Sequence, residues 1–458
     1  MRPMNAGSAP RRLRERIAGD VFLPGDAGWD GARQAWNLAA DQHPAAVVYA
    51  AFTDDIVATL RFAAEHGLRV AAQGTGHGAT TMPDLRSTVL LRTSRLTKVE
   101  VDPSARLARV EAGALWSDVV PRAGRHGLAA LHGFSGTVGV AGYTLGGGLG
   151  WLARSEGLAC NSVTALAVVT ADGEARRVSA EEDPELFWAL RGGGGAYAVV
   201  TELEFDLVAL PTVYAGQLMW PIEEARQVVA AYRDWTVDLT DNVTSTVKLV
   251  RFPPLPQLPA PLRGRSLVAV ALAHRGDEAE GERLVAPLRA AAPPELDTLA
   301  SIPATGLVDV AGDPQDPVPG VGGSVLLRDL PACAVSAYLE LAGPDVQSPL
   351  LHLELRHLGG ALAETSPAHG AADCIDGAFL VYGVGMPTSP ELNDAIRDAL
   401  ESVTERFAPW ATGRTFLNFA EQQPGMRASF SASTVDRLNA VKDTHDRDGI
   451  LVANHAVD

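Results

Sequence analysis

One histidine and three glycine clusters are the residues of this 458-residue chain best placed to do chemistry. The first cluster, Gln73-Gly74-Thr75-Gly76-His77-Gly78-Ala79, strips the backbone of side chains around a single imidazole. The second runs from Phe134 to Gly150 and holds neither lysine nor acid. The third is Arg191-Gly192-Gly193-Gly194-Gly195-Ala196-Tyr197. Backbone N–H groups uncovered by glycine bind anions, and a diphosphate, which needs many donors and little bulk, suits them best. A dinucleotide pyrophosphate is the guest this composition calls for. A lone histidine in a turn usually caps that turn, but flanking glycines also allow a large flat ligand to come close, and His77 fits either account.

Two other glycine-rich phosphate sites are excluded. No Gly-Lys-Ser/Thr closes any of the clusters, so there is no P-loop. A Rossmann fingerprint needs a strand ahead of it and an acid on the next strand; Gly146 to Gly150 instead runs into Trp151-Leu152-Ala153-Arg154.

The elements that must position these loops can be read from pattern. Residues 44–50 form a short buried strand, Thr53 to Gly67 a helix, and residues 68–72 a second strand leading into the His77 loop. Residues 31–40 read as a polar, helix-like run, and residues 1–10 as a loose tail. Strands are expected at 88–92, 99–102, 107–112, 165–170, 175–178 and 198–208, with a hairpin at Asp172-Gly173 and helices over 116–127 and 183–190. Beyond Pro211 the strands 214–220, 245–251, 267–273, 322–328, 350–357 and 379–383 alternate with helices 222–238, 278–291, 330–341 and 390–407. This pattern predicts a mostly antiparallel sheet with helices on one face. Alternation along 350–357 puts His352, Glu354 and Arg356 on one side. A solvated face with a salt bridge is the simpler account of these three residues, and an active-site face the alternative.

Taken together, the three clusters resemble the FAD-binding domain of the vanillyl-alcohol oxidase superfamily, in its berberine-bridge-enzyme-like branch that includes 6-hydroxynicotine oxidases. That family's first loop carries a histidine bonded covalently to the flavin 8α-methyl, and His77 stands in its place. Its second loop reads Cys-Pro-Thr-Val-Gly-Val-Gly-Gly-His followed by Gly-Gly-Gly-x-Gly, which Ser135 to Gly150 follow. Ser135 replaces the cysteine of bicovalent members, and Tyr143 replaces the histidine. The third loop is matched by Arg191 to Thr201, with Ala196, Tyr197 and Ala198 in place of Asn, Phe and Gly. Arg414 to Glu421 resembles the family's Tyr-x-Asn-Tyr-x-Asp segment: Asn418 is kept, and Phe416 and Phe419 stand for the tyrosines.

The resemblance implies an α+β fold: a two-part PCMH-type FAD-binding domain over 1–211 with a returning segment 411–458, and an α/β substrate domain over 212–410. It implies FAD linked through His77 and cradled by Gly74, Thr75, Gly76, Gly78, Ser135, Gly136, Thr137, Val138, Gly139, Gly142, Tyr143, Gly146, Gly147, Gly148, Gly150, Val199 and Asn418. Phe416 and Phe419 would line the substrate pocket.

The implied activity is an oxidase that takes a hydride from an alcohol, hemiacetal or amine carbon and returns the electrons to O₂, with Val138 leaving room for O₂ near flavin C4a. Phe419 cannot accept the proton that a tyrosine there accepts in relatives. Glu421, Tyr382 or His352 must do so, unless the substrate is an amine whose neutral form needs no base. The rival reading is a flavoprotein of the same fold that catalyses a non-redox step or uses another acceptor.

Composition narrows the partners. A net charge of −17 argues against nucleic acid and anionic membranes. Cys160, Cys333 and Cys374 are too few and too far apart for a disulfide framework or metal cluster. With neither a secretory signal nor a spanning apolar run, a cytoplasmic monomer or homodimer acting on a small molecule, without a metal, is expected.

Overall fold

Strands buried on both faces read as unbroken apolar runs, and the first sheet is built from them. The computed structural model describes residues 12–421 and 425–455; the tail reading of residues 1–10 lies outside them. The sheet order is Asp20–Phe22, Ala46–Tyr49, Thr88–Arg92, Arg69–Gln73, Leu451–Val452, parallel except for the first pair. The helix Thr53–His66 forms the crossover and stops at Gly67, whose φ of 65° a side chain would resist. In place of a helix over 31–40, a short helix, Trp29–Arg33, gives way to irregular chain. Asn37 there exchanges two hydrogen bonds with the backbone of Gly320, at 3.0 and 2.9 Å.

A second sheet is antiparallel throughout, in the order Val99–Asp102, Leu107–Glu111, Val199–Asp206, Val163–Val169, Ala175–Ser179. The helix expected over 116–127 ends at Gly124, and Gly127, at φ 68°, turns the chain into the short strand Leu128–Ala129.

The third sheet is also antiparallel: Leu296–Asp297, Thr212–Pro221, Ser266–His274, Val243–Arg251, His352–His357, Phe379–Gly385, Val321–Leu327, with Ala300–Pro303 paired beside Thr212–Pro221. Val247, Val270, Leu355 and Val381 point to one face, where Tyr232, Tyr338 and Leu400 from three helices close a core. Strand alternation turns Lys248, Glu354, Tyr382 and Ser324 to the other face, where they sit side by side in register. The expected α+β architecture, with a mostly antiparallel second part, is therefore found. The solvated-face account of His352, Glu354 and Arg356 is not: Glu354 is 1% exposed and Arg356 4%.

Arg154 ties the short helix Ala153–Glu156 to the third sheet. Its buried guanidinium donates to the carbonyls of Val243 at 2.8 Å and of Leu358, and reaches Asp241 at 3.3 Å. Replacing it with methionine strands buried carbonyls at roughly 1–3 kcal/mol each. Arg154→Met is expected to lower the urea unfolding midpoint clearly, whereas Arg437→Met, which removes an exposed pair with Glu185, should barely move it.

Candidate functional site

The three glycine clusters converge on one wall. His77 reaches the second cluster through Thr137, the Gly194 amide donates to Leu145 at 2.8 Å, and a methyl on Gly139 would lie 3.5 Å from Thr75. Among the described residues, the amides of Gly74, Thr75, Gly76, His77 and Gly78 donate to no protein acceptor. Gly76, at φ 89°, bends this run into a concave nest of free donors. Beside it the helix Val140–Leu145 opens its first turn at Gly142, which is exposed and would carry a Cβ with nothing within 4 Å. Neutral donors in a row beside open space suit a pyrophosphate, so the residues present fit an FAD.

His77 is held by stacking and by a hydrogen bond. Its ring stacks on Trp36 with centroids 3.8 Å apart and planes 19° apart. Nε2 lies 3.2 Å from the Thr137 carbonyl, which can only accept and so favours the proton on Nε2 with the lone pair on Nδ1, and 3.3 Å from the Thr137 hydroxyl. Burial pushes its pKa down to about 4, against the opposing pull of the Thr137 carbonyl. Burial thus favours the neutral ring at neutral pH. Ser135 Oγ is bonded to Thr137 Oγ1 at 2.9 Å.

Several of the residues expected to contact FAD also brace the loop or the core. Tyr143 is buried, its hydroxyl donating to the Leu131 carbonyl at 3.2 Å and its ring edge-on to Trp116. Gly148 and Gly150 leave space for protein atoms: a Cβ on Gly150 would sit 1.8 Å from the His132 carbonyl oxygen. Asn418 braces the loop, accepting from the Gly148 amide at 2.8 Å and donating to the Tyr143 carbonyl at 3.1 Å, and Gly146 has no room for a Cβ beside it. Gly147 likewise leaves room for the buried ring of Phe416, and Gly136 lies on Ser117. Val199 is 1% exposed and sits in the core under the first sheet. Val138 remains half-buried, its carbonyl fixed by the Trp116 amide at 3.1 Å.

Opposite this wall, the open face of the third sheet gathers a polar cluster. Tyr382 donates to Glu421 at 2.5 Å, and its ring meets Phe419 edge-on at 5.2 Å. Ser324 holds the Phe419 carbonyl at 2.8 Å. Gly322 has no side chain because the Glu421 carboxylate occupies that space. Burial pushes Glu421 up, against the lowering effect of Tyr382 and the Gly322 amide, and burial beside Glu421 keeps the Tyr382 phenol protonated. His352 lies 6.0 Å from the Tyr382 ring, and burial, with Lys248 nearby, takes its pKa down to about 3. Burial alone would raise Glu354, but Arg356 and Lys248 hold it down to about 2. A cleft of about 1120 Å³ between residues 39–43 and 79–86 on one side and Asn393, Arg397 and Glu401 on the other leads to Gly322 and Glu421.

Trp36, Gly322, Ser324 and Lys248 were not read from sequence. Trp36 and Lys248 carry no local pattern, and Gly322 and Ser324 acquire their meaning only when the strand meets residues 419–421.

Residues 44–179 match a family model described as an FAD binding domain. The chain carries an FAD-binding domain. The likeness to FAD-linked oxidases read from the glycine clusters is borne out by relatives. (R)-6-hydroxynicotine oxidase of Paenarthrobacter nicotinovorans is 30% identical over 234 residues, 50% of this chain and 51% of that protein. Glucooligosaccharide oxidase of Sarocladium strictum is 34% identical over 214 residues, 45% of this chain and 43% of that one. The chain thus spans about half the length of these relatives. The crystal structure of 6-hydroxy-D-nicotine oxidase from Arthrobacter nicotinovorans shares the fold more widely, with a TM-score of 0.82 over 95% of this chain and 96% of that one at 24% identity. Among the described residues no helix is long and apolar enough to cross a membrane.

The two kinds of glycine in the FAD-binding domain separate by mutation. Gly142→Val, filling open space, is expected to lower FAD content per protein at least tenfold while far-UV circular dichroism stays unchanged. Gly150→Val, driven into a carbonyl, should instead prevent accumulation of soluble folded protein.

Proposed function

We propose that the protein is an FAD-dependent oxidase of a small molecule, removing hydride from a carbon that bears a hydroxyl or amine, with O₂ as the final acceptor. FAD held against the glycine wall would supply the two-electron acceptor chemistry, with O₂ as the final oxidant. The observation that carries the reading is the half-buried, hydrogen-bonded Tyr382–Glu421 pair beside Phe419. It provides a proton acceptor where the phenylalanine cannot. Tyr382 takes the proton of a substrate hydroxyl as its own passes to Glu421, and Ser324 and Gly322 hold the pair in place. Phe419 contributes an apolar wall, and the cleft at Glu421 admits the substrate.

His77 is proposed as the covalent anchor of FAD. Its neutral ring, Nδ1 lone pair and Trp36 stack support that role, and Ser135 makes no second bond. Flavin should stay with the acid-precipitated protein and be released by His77→Ala. A colourless pellet from the wild type would sink the anchor.

Ionised Glu421 is the active form, so kcat for an alcohol should rise with pH through a pKa above that of an ordinary glutamate. Glu421→Gln should abolish this limb and lower kcat at least about 100-fold. An amine substrate, which needs no base, should lose far less. Equal losses on both substrates would assign the pair a structural role.

Val138 is proposed to leave O₂ a path to the flavin. Val138→Leu should slow reoxidation of photoreduced protein in air and spare reduction by substrate. Reduced wild-type protein that persists in air would exclude the oxidase and favour another acceptor or a non-redox reaction.

A further inference from the structure

The buried cation on the same sheet face is not used by the proton transfer. Arg356 donates through Nε to Glu354 Oε1 at 2.7 Å, while Lys248 reaches the second oxygen, Oε2, at 3.2 Å. One carboxylate therefore serves two cations. Arg356 Nη1 is buried and has no acceptor among the described residues, and neither has His352 Nε2 on the same strand face. Asp313 is the next carboxylate within electrostatic reach, and no ion pair joins it to Arg356 among the described residues. The guanidinium carbon lies 3.7 Å from the ring centroid of Phe134, next to Ser135, and 4.9 Å from that of Phe419. Both rings lie within cation–π reach and steady the guanidinium.

A buried guanidinium donor without an acceptor costs free energy that a suitable ligand restores, and the planar fork matches a carboxylate. Phe419 lies against both functional ends, its ring 5.2 Å from that of Tyr382 and 4.9 Å from the Arg356 guanidinium. We infer that the substrate of this site is a small carboxylate with a planar apolar body, its acid group on Arg356 and its oxidised carbon at Tyr382, about one ring apart. This rests on the oxidase reading for which end reacts, but the acid subsite stands on Arg356 itself. Phe134 and Phe419 would flank the body, and His352, kept neutral, would supply a further polar contact to the acid group.

Binding of 4-methylbenzoate and of 4-methylbenzamide, nearly the same in shape and differing in charge, tests the site by calorimetry on the holoprotein, without turnover. The acid should bind at least tenfold more tightly than the amide. Arg356→Gln should bring the two within twofold of each other, and Arg356→Lys, which keeps the charge but loses the fork, should retain an intermediate preference. If the glutamine variant does not fold, the lysine variant and the wild-type ratio still decide. Equal affinities in the wild type, binding of neither probe, or an undiminished preference in Arg356→Gln would overturn the inference. Acid preference in a protein that fails to reduce O₂ would keep the subsite and discard the oxidase. Rapid reoxidation without acid preference would do the reverse.

Discussion

Glycine gives a ligand close access to the backbone and leaves that backbone with nothing of its own to hold it in shape. The rest of the structure answers this constraint. Asn418, reaching in from a segment some 270 residues away, fixes both the Gly148 amide and the Tyr143 carbonyl. Phe416 fills the space above Gly147, and Trp36 closes over His77. Each brace comes from outside the loop it supports, so the donors can face the open side without bending back to bond one another.

The same dependence explains the second half of the site. A half-buried acid beside a half-buried phenol is stable only if each has a partner, and Tyr382 and Glu421 are each other's. Glu354 is likewise retained as an anion because two cations flank it. The sheet face therefore carries two polar units with opposite tendencies, one inclined to keep its protons and one holding a negative charge firmly, with the ring of Phe419 near both. Catalytic sites commonly divide the work of proton transfer and substrate orientation in this way.

What could be read in the sequence followed from what is local. The glycine clusters and His77 were legible because their chemistry lies in contiguous residues, and the antiparallel sheet because alternation and turn residues mark each strand. Which face of His352–His357 is covered was not legible, since period two fixes the faces but not the neighbour. The proton acceptor could be narrowed to Glu421, Tyr382 and His352 but not chosen. The first two lie on separate elements, and their hydrogen bond exists only when residues 419–421 cross the strand Val321–Leu327. Tyr143 and Val199 looked like cofactor contacts because they sit within the motifs, and burial assigns their side chains to the core.

The pairing of Leu451 with Val70 has a consequence in time. The two residues are roughly 380 apart in the chain, so at about 5–20 residues per second the edge of the first sheet waits roughly 20–75 s on the ribosome for its last strand. The His77 loop emerges from that sheet, and Asn454, just beyond the late strand, bonds the Gly78 carbonyl. During synthesis the nest of free amides is exposed before its frame is complete. Until Leu451–Val452 arrives, the strand Arg69–Gln73 stands as an unpaired sheet edge, of the kind that templates wrong pairings.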